Sequence, residues 1–347
     1  MQKNFFIGDI KIGIDETPLV IPEIGINHEG DLKIAKLMVD AAYRAGAKIV
    51  KHQTHIVEDE MSHAAKKVIP GNSKNSIYEI ISKCALSENE EYELMEYVQN
   101  KGMLFLSTPF SRAAVDRLEK FGVAAYKIGS GEMNNYPLLK YVASFGKPII
   151  MSTGMNDLKS ISKAVDILEN ANVNYTLLHT TNLYPTPLNL VRLGAMQQMM
   201  KEFPNVPIGL SDHTLTNTAC IAAMTLGASI VERHFTDIKS RKGPDIICSM
   251  DETELHELIQ AAEDIKKMLG GNKIAATEEQ VTIDFAFAAV VSIQPIKAGE
   301  KFTEKNIWVK RPGKNGILAE NYEKILGKHA TCDIDKDIQL NWKMIEE

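Results

Sequence analysis

Along the chain, short runs of apolar and β-branched residues alternate with longer stretches whose apolar positions recur every three or four residues. The short runs predict strands and the longer ones amphipathic helices. Eight runs have the strand texture: "LVIPEIGIN" (19–27), "KIVKHQT" (48–54), "MLFLSTP" (103–109), "AAYKIGS" (124–130), "KPIIMSTG" (147–154), "NYTLLHTT" (174–181), "PIGLSDHT" (207–214) and "SIVERHFT" (229–236). Each is followed by a helical pattern such as "DLKIAKLMVDAAYRAG" or "LKSISKAVDILENAN", and several of these end in Gly just before the next strand, as a helix C-cap does. Eight strand–helix units predict a closed (β/α)8 TIM barrel. The competing architecture is an open doubly wound sheet, but no G-x-G-x-x-G follows the first strand and no G-x-x-x-x-G-K-[ST] occurs.

Two departures from the regular pattern stand out. Residues 55–86, "HIVEDEMSHAAKKVIPGNSKNSIYEIISKCAL", lengthen the second strand-to-helix loop, and such a loop is expected to cover a site. After the last barrel helix, "DETELHELIQAAEDIKKMLGG", a polar segment leads into a different texture. The expected organisation is a barrel over 1–270, a linker over 271–284 and a small β-rich domain over 285–347. Within that domain "IKAGEKFTEKNI" (296–307) and "IDKDIQLNWKMI" (334–345) share a pattern: Ile, then Phe or Leu six residues on, then Ile five further. The echo suggests two related half-units in a module too small to be more than marginal alone.

Composition narrows the class. At 347 residues the chain exceeds one ordinary core, and 44% apolar with 24% charged residues is far from the balance of a disordered chain. No apolar run is long enough to span a membrane, and the N-terminus lacks a basic flank leading into an apolar stretch, so a cytoplasmic location is expected. Cys84, Cys220, Cys248 and Cys332 lie far apart without a C-x-x-C, which signals neither a disulfide framework nor structural zinc and leaves them as expected buried thiols. A net charge of −6 without a basic stripe argues against nucleic acid as a partner.

Barrel enzymes place their chemistry at the C-terminal ends of the strands, and polar residues are dense there. Glu23, Asn27 and His28 end the first strand, Lys51 and Gln53 lie on the second, and Ser107 and Thr108 end the third. Lys127, Ser130 and Glu132 follow on the fourth, Ser152 and Thr153 on the fifth, and Thr180, Asn182 and Tyr184 on the sixth. His213 and His234 end consecutive strands separated by one helix, so they occupy equivalent positions on neighbours roughly 5 Å apart. Two imidazoles so placed can share a metal with an open coordination sphere, or each can simply pack at its strand end. "YKIGSGE" sets Lys127 beside a Gly-Ser-Gly turn whose backbone N–H groups can converge on an anion, with Lys51, Ser152 and Ser211 able to complete a phosphate cradle. Glu23, Glu132 and Asp245 are open to structural or acid–base roles.

The ordered motifs "PEIGINHEG", "KHQTHIVEDEMS", "STPFSR", "KIGSGE", "STGMN", "TTNLYPTP", "GLSDHT", "ERHFT", "GPDIICSMD" and "VKRPG" closely resemble those of the bacterial sialic acid synthases, over nearly the whole chain. The tail resembles that family's antifreeze-like (SAF) domain. The resemblance implies condensation of phosphoenolpyruvate with N-acetylmannosamine to N-acetylneuraminate and phosphate. By position it implies His213 and His234 as ligands of a divalent ion, usually manganese with magnesium or cobalt as alternatives, that binds the aldehyde oxygen of the open-chain sugar. Lys51, Lys127, Ser130, Ser152, Asn182 and Ser211 match the family's contacts to phosphoenolpyruvate. Glu23, Gln53, Thr108, Tyr184 and Asp245 fall where it holds the sugar or metal-bound water, and Glu132 where it places a catalytic carboxylate. It further implies a homodimer in which the tail of one chain caps the barrel of the other, with Arg311 reaching the N-acetyl group.

Met133 departs from the pattern, standing where close relatives have Cys, and leaves these roles intact. Relatives making legionaminic or pseudaminic acid generally carry F-Q-T in the second strand; "KHQTH" here favours the N-acetylneuraminate branch. Two rival readings are a lysine Schiff-base aldolase through Lys51 or Lys127, and a sugar- or ice-binding protein whose tail is the working part.

Overall fold

In the computed structural model, which describes residues 3–70 and 75–346, the chain begins with a feature the periodicity did not register. Strands β1 (Asn4–Ile7) and β2 (Ile10–Gly13) pair as an antiparallel hairpin. Four-residue strands are too short to show a repeat, but their one-sided burial carries the reason they form. Phe5, Ile7 and Ile12 pack with Leu19, Ile21, Ile49, Leu106, Ala125, Ile150, Leu178 and Ile230, so the hairpin closes the N-terminal end of the barrel interior.

The barrel strands are β3 (Leu19–Gly25), β4 (Ile49–Thr54), β5 (Leu104–Pro109), β6 (Tyr126–Ile128), β7 (Ile149–Ser152), β8 (Tyr175–Thr180), β9 (Ile208–Asp212) and β10 (Ile230–His234). All pair in parallel, and β10 closes on β3. Each of the eight lies inside one of the runs expected to be a strand. The strands read as almost continuously apolar because both faces are covered: alternate residues face the interior, and the others, such as Val20, Val50 and Phe105, pack against the helices.

Side-chain caps set where the helices start. Asp31 caps the helix Leu32–Arg44 and Asp157 the helix Leu158–Asn170. Ser87 with Glu90, and Asp251 with Glu254, form capping boxes on Glu88–Asn100 and Glu252–Met268, each worth about 1 kcal/mol. In the long second loop, a turn of helix (Val57–Glu60) and the helix Ile77–Cys84 pack Val57, Met61, Ile77, Ile80 and Ile81 against Ile26 at the end of the first barrel strand. Residues 71–74 of that loop lie outside the described residues.

The chain divides into two compact units, Met1–Gly270 and Gly271–Glu347. The stretch expected as a linker over 271–284 contains the start of the helix Gln280–Ala286 and clusters with the second unit. In that unit β11 (Ala289–Ser292) and β12 (Ile307–Lys310) pair antiparallel, and single bridges such as Ile296↔Ile334 join the rest. The sequence echo has a packing meaning: Ile296, Phe302 and Ile307 from one half and Ile334, Leu340 and Ile345 from the other all lie in one core. Cys84, Cys220 and Cys248 are buried as expected, whereas Cys332, beside the Ile334 bridge, is exposed. Among the described residues no helix is long and apolar enough to cross a membrane.

Candidate active site

Two residues further along each inward-facing row, apolar side chains give way to polar ones. Ile21 is followed by Glu23, Ile49 by Lys51 and Gln53, Leu106 by Thr108, Ala125 by Lys127, Ile150 by Ser152, Leu178 by Thr180, and Ile230 by Glu232 and His234. They line a cavity of about 250 Å³ with Ser211, Ser130, Glu132, Asn182, Tyr184 and His213. Of the barrel residues to which the resemblance gives a role, all line it except Asp245. That residue lies beside it, with Oδ2 3.6 Å from His234 Nδ1. Arg311 belongs to the second unit, where it is exposed just after β12.

Charge in the cavity is paired rather than accumulated. Lys51 Nζ is 2.7 Å from Glu23 Oε1, and Glu232 Oε1 lies 3.5 Å from Lys51 and 3.6 Å from Lys127. Lys127 also donates to Ser152 Oγ at 2.7 Å, and Ser211 Oγ donates to Glu232 at 3.4 Å. Burial is the largest influence and opposes charge on both Glu23 and Lys51, but their mutual attraction and hydrogen bond, joined by His234 and Gln53 at Glu23 and by Glu232 at Lys51, together outweigh it, holding Glu23 well below the usual carboxylate range and Lys51 above the usual lysine value. For Lys127 burial wins: desolvation, with the Lys51 charge adding to it against Glu232, pushes it down to about 8. Glu232 was missed in the sequence. The signal was available, since it stands two residues before His234 and therefore shares its inward face.

Several buried atoms in this network have no hydrogen-bond partner among the described residues: Glu23 Oε2, Glu232 Oε2, Asn182 Oδ1 and His234 Nδ1. Unsatisfied buried acceptors cost about 1–3 kcal/mol each, so together they mark where donors or a cation from a ligand belong.

The two imidazoles are presented together. Asp212 pairs in register with Arg233, so His213 and His234 occupy the next matched positions, with ring centroids 5.5 Å apart. His213 Nδ1 donates to the Thr181 carbonyl at 2.9 Å, which leaves its Nε2 with a lone pair. Burial, helped by His234, pushes His213 down to about 3. The Tyr184 ring stacks on His213 at 4.0 Å. Among the described residues no group of three or more His, Cys, Asp or Glu side chains is gathered as a metal cluster. The unpaired His234 Nδ1, the lone pair on His213 Nε2 and the orphaned acceptors fit a divalent cation.

The Gly-Ser-Gly turn after β6 brings Glu132 and Ser130 to the same cavity. A Cβ on Gly129 would stand 2.4 Å from Glu132 Oε2, and one on Gly154 2.1 Å from Asn182 Oδ1 and 2.8 Å from Ser130 Oγ. Glycine at both positions is what lets these groups close in. Desolvation raises Glu132 to about 7, with Glu60 adding to it against the pull of Lys127 and its own backbone N–H.

Not every polar residue at a strand end belongs to the site. Asn27 donates to the Phe235 carbonyl at 3.0 Å and to Ser249 Oγ at 2.9 Å, tying loops together. His28 stacks on His52 with centroids 5.5 Å apart, behind the sheet, and burial holds it near about 3. Ser107 bonds Thr54 on the outer face at 2.7 Å, and Thr153 Oγ1 donates to the Leu178 carbonyl at 3.0 Å.

Ion-paired lysines, a carboxyl raised by burial and paired imidazoles gathered at the C-terminal mouth of a closed barrel, where such folds carry their chemistry, define a (β/α)8-barrel enzyme. The NeuB family profile matches residues 38–274, and the SAF domain profile matches 287–346. The N,N'-diacetyllegionaminic acid synthase of Campylobacter jejuni is 39% identical over 92% of this chain and 97% of its own. That of Legionella pneumophila is 34% identical over 100% of both. The crystal structure of the N-acetylneuraminic acid synthetase of Leptospira borgpetersenii, in complex with citrate, superposes with a TM-score of 0.74 at 31% identity, over 82% of this chain and 96% of that one. The chain belongs to the NeuB family, the sialic acid synthase family with a C-terminal SAF domain.

Proposed function

We propose that the chain is an N-acetylneuraminate synthase. It joins C3 of phosphoenolpyruvate to the aldehyde carbon of open-chain N-acetyl-D-mannosamine, adds water at C2, and releases phosphate by breaking the C–O bond. The observation that carries the reading is one cavity with two buried ammonium groups, Lys51 and Lys127, in its floor and the paired His213 and His234 at its rim.

Lys127, with the hydroxyls of Ser130, Ser152 and Ser211 and the amide of Asn182, holds the phosphate and carboxylate of phosphoenolpyruvate, and Lys51 adds its charge from β4. Glu132, raised by burial to about 7, takes the proton from the water that adds at C2. Glu23 and Asp245 assist proton transfer at the sugar, while Gln53, Thr108 and Tyr184 hold its hydroxyls. His213 and His234 would hold the divalent ion, manganese first, with magnesium or cobalt as alternatives. When bound, that ion supplies Lewis-acid activation of the sugar carbonyl. The chain works as a homodimer in which the partner's second unit brings an arginine, the counterpart of Arg311, to the N-acetyl group.

A second reading has an observation behind it. Two relatives at 39% and 34% identity are N,N'-diacetyllegionaminic acid synthases, which favours a 2,4-diacetamido-trideoxy hexose as the sugar, for a legionaminic or pseudaminic acid product. One experiment separates the two: incubation with manganese, phosphoenolpyruvate and a panel of 2-acetamido hexoses, with the product weighed by mass spectrometry. Turnover confined to the trideoxy sugar overturns the first reading. A borohydride-trapped adduct on Lys51 or Lys127 overturns both in favour of a Schiff-base aldolase.

A further inference from the structure

Gln53 reaches into the cavity from β4 with its amide nitrogen 2.7 Å from Glu23 Oε1. A carboxylate oxygen only accepts, so the nitrogen donates and the amide has one orientation. Its oxygen then faces the other way, 3.1 Å from His55 Nε2. An amide oxygen also only accepts, so His55 Nε2 must carry a hydrogen. On the far edge of the ring Nδ1 lies 2.8 Å from Glu60 Oε2. The ring face stacks on Phe110, centroids 4.3 Å apart and planes within 12°.

These restraints come from different elements. Glu60 sits in the turn of helix Val57–Glu60 of the long second loop, and that turn is tied down where Ala113 N donates to Asp59 Oδ2 at 2.9 Å. Phe110 follows β5, and Gln53 lies on β4. His55 is 5% exposed and does not line the cavity, so its effect there must pass through Gln53. Turning the amide over would set its oxygen against Glu23 and its nitrogen against the hydrogen on His55 Nε2, losing both bonds at once.

We infer that His55, clamped by Glu60 and Phe110, is a positioning residue that locks the Gln53 amide with its nitrogen toward Glu23 and so fixes the sugar-facing wall of the cavity. The inference rests on the proposed function for the identity of that wall. The long second loop thereby has a part in the site, since it supplies the carboxyl that orients His55.

The test uses the full chain with manganese, phosphoenolpyruvate and N-acetylmannosamine. His55→Phe keeps a ring on Phe110 and removes both hydrogen bonds. It raises the sugar KM about tenfold, a hydrogen bond's worth, and leaves the phosphoenolpyruvate KM within about twofold. His55→Gln, whose amide can donate to Gln53 Oε1, recovers most of the loss. In a Gln53→Ala background His55→Phe adds less than about twofold, because the group it positions is gone. Equal damage to both KM values, or a full additional loss in the Gln53→Ala background, overturns the inference and reduces His55 to core packing. Long-range 1H–15N spectra of histidine-labelled protein, with His55 assigned by its absence in His55→Phe, give a readout free of turnover. A hydrogen on Nε2 is expected, and a bare Nε2 overturns the inference. Should the wild-type chain release no phosphate with any 2-acetamido sugar, the proposed function fails while the nitrogen signal still decides the His55–Gln53 bond.

Discussion

The two ends of the barrel interior are built from the same strands and behave as different materials. At the N-terminal end Ile21, Ile49, Ile150, Leu178 and Ile230 pack beneath the β1–β2 hairpin as an ordinary apolar core. Two residues further along, Glu23, Lys51, Ser152, Thr180 and Glu232 face a cavity and leave acceptors unsatisfied. The first end gains free energy from burial. The second gives some of it up, holding charged and polar groups ready for a ligand to satisfy. The contrast teaches that stability and chemistry in this fold are separated along the strand axis by a single step of the period-two repeat.

The sharpest way to break that contrast is to remove the imidazole pair. The double variant His213→Ala, His234→Ala is expected to lower phosphate release by about a thousandfold or more while unfolding near the wild-type temperature. Turnover within about tenfold of wild type would deny the mouth its assigned chemistry. At the other end, Ile150→Ala is expected to cost about 2–4 kcal/mol in denaturant unfolding with kcat/KM unchanged below the transition. A parallel loss of specific activity in the folded variant would show that the two ends are not independent.

Glu132→Gln sharpens the comparison by moving both properties in opposite directions. Its carboxyl is raised in the folded state, so the stability tied to its proton is full below the unfolded value and lost as pH rises through about 7. At pH 8 the Gln variant escapes that loss, which amounts to ~1–2 kcal/mol after allowing for partial exposure and a Tm higher by about 2–4 °C. Its kcat is expected to fall about a hundredfold. A lower Tm with unchanged kcat would mark Glu132 as structural.

The smallest effect is on the pH profile. With Glu132 needed unprotonated near 7 and Lys127 needed protonated near 8, kcat/KM for phosphoenolpyruvate is expected to form a narrow bell between those values. Glu232 raises Lys127, so Glu232→Gln lowers it and moves the alkaline limb toward acid. An alkaline limb that stays in place in that variant would disconnect Lys127 from phosphoenolpyruvate binding.

Much of this architecture was legible in one dimension. Eight apolar runs separated by capped helices predict a barrel because a strand buried on both faces and a helix buried on one leave different repeats. The Ile–Phe–Ile and Ile–Leu–Ile echo exposed the second unit's core for the same reason. The hairpin of β1 and β2 escaped because strands of four residues carry no repeat. Glu91 escaped differently. It sits among the acidic residues of the helix Glu88–Asn100, yet it is buried where His52, Thr54 and Arg117 converge on it.

The sequence alone determined the eight barrel strands, the alternation of their faces and the residue types presented at each one's C-terminal end, since these depend only on local repeats of about two and 3.6 residues. The partnerships were decided by the tertiary structure alone. That Glu232 bridges two lysines, that His28 turns behind the sheet while His234 turns inward, and that His55 grips Gln53 all follow from closing eight strands into a ring. Closure brings residues distant along the chain within hydrogen-bond reach and strips them of water. Neither the distances nor the resulting proton affinities are written in any local stretch of the chain.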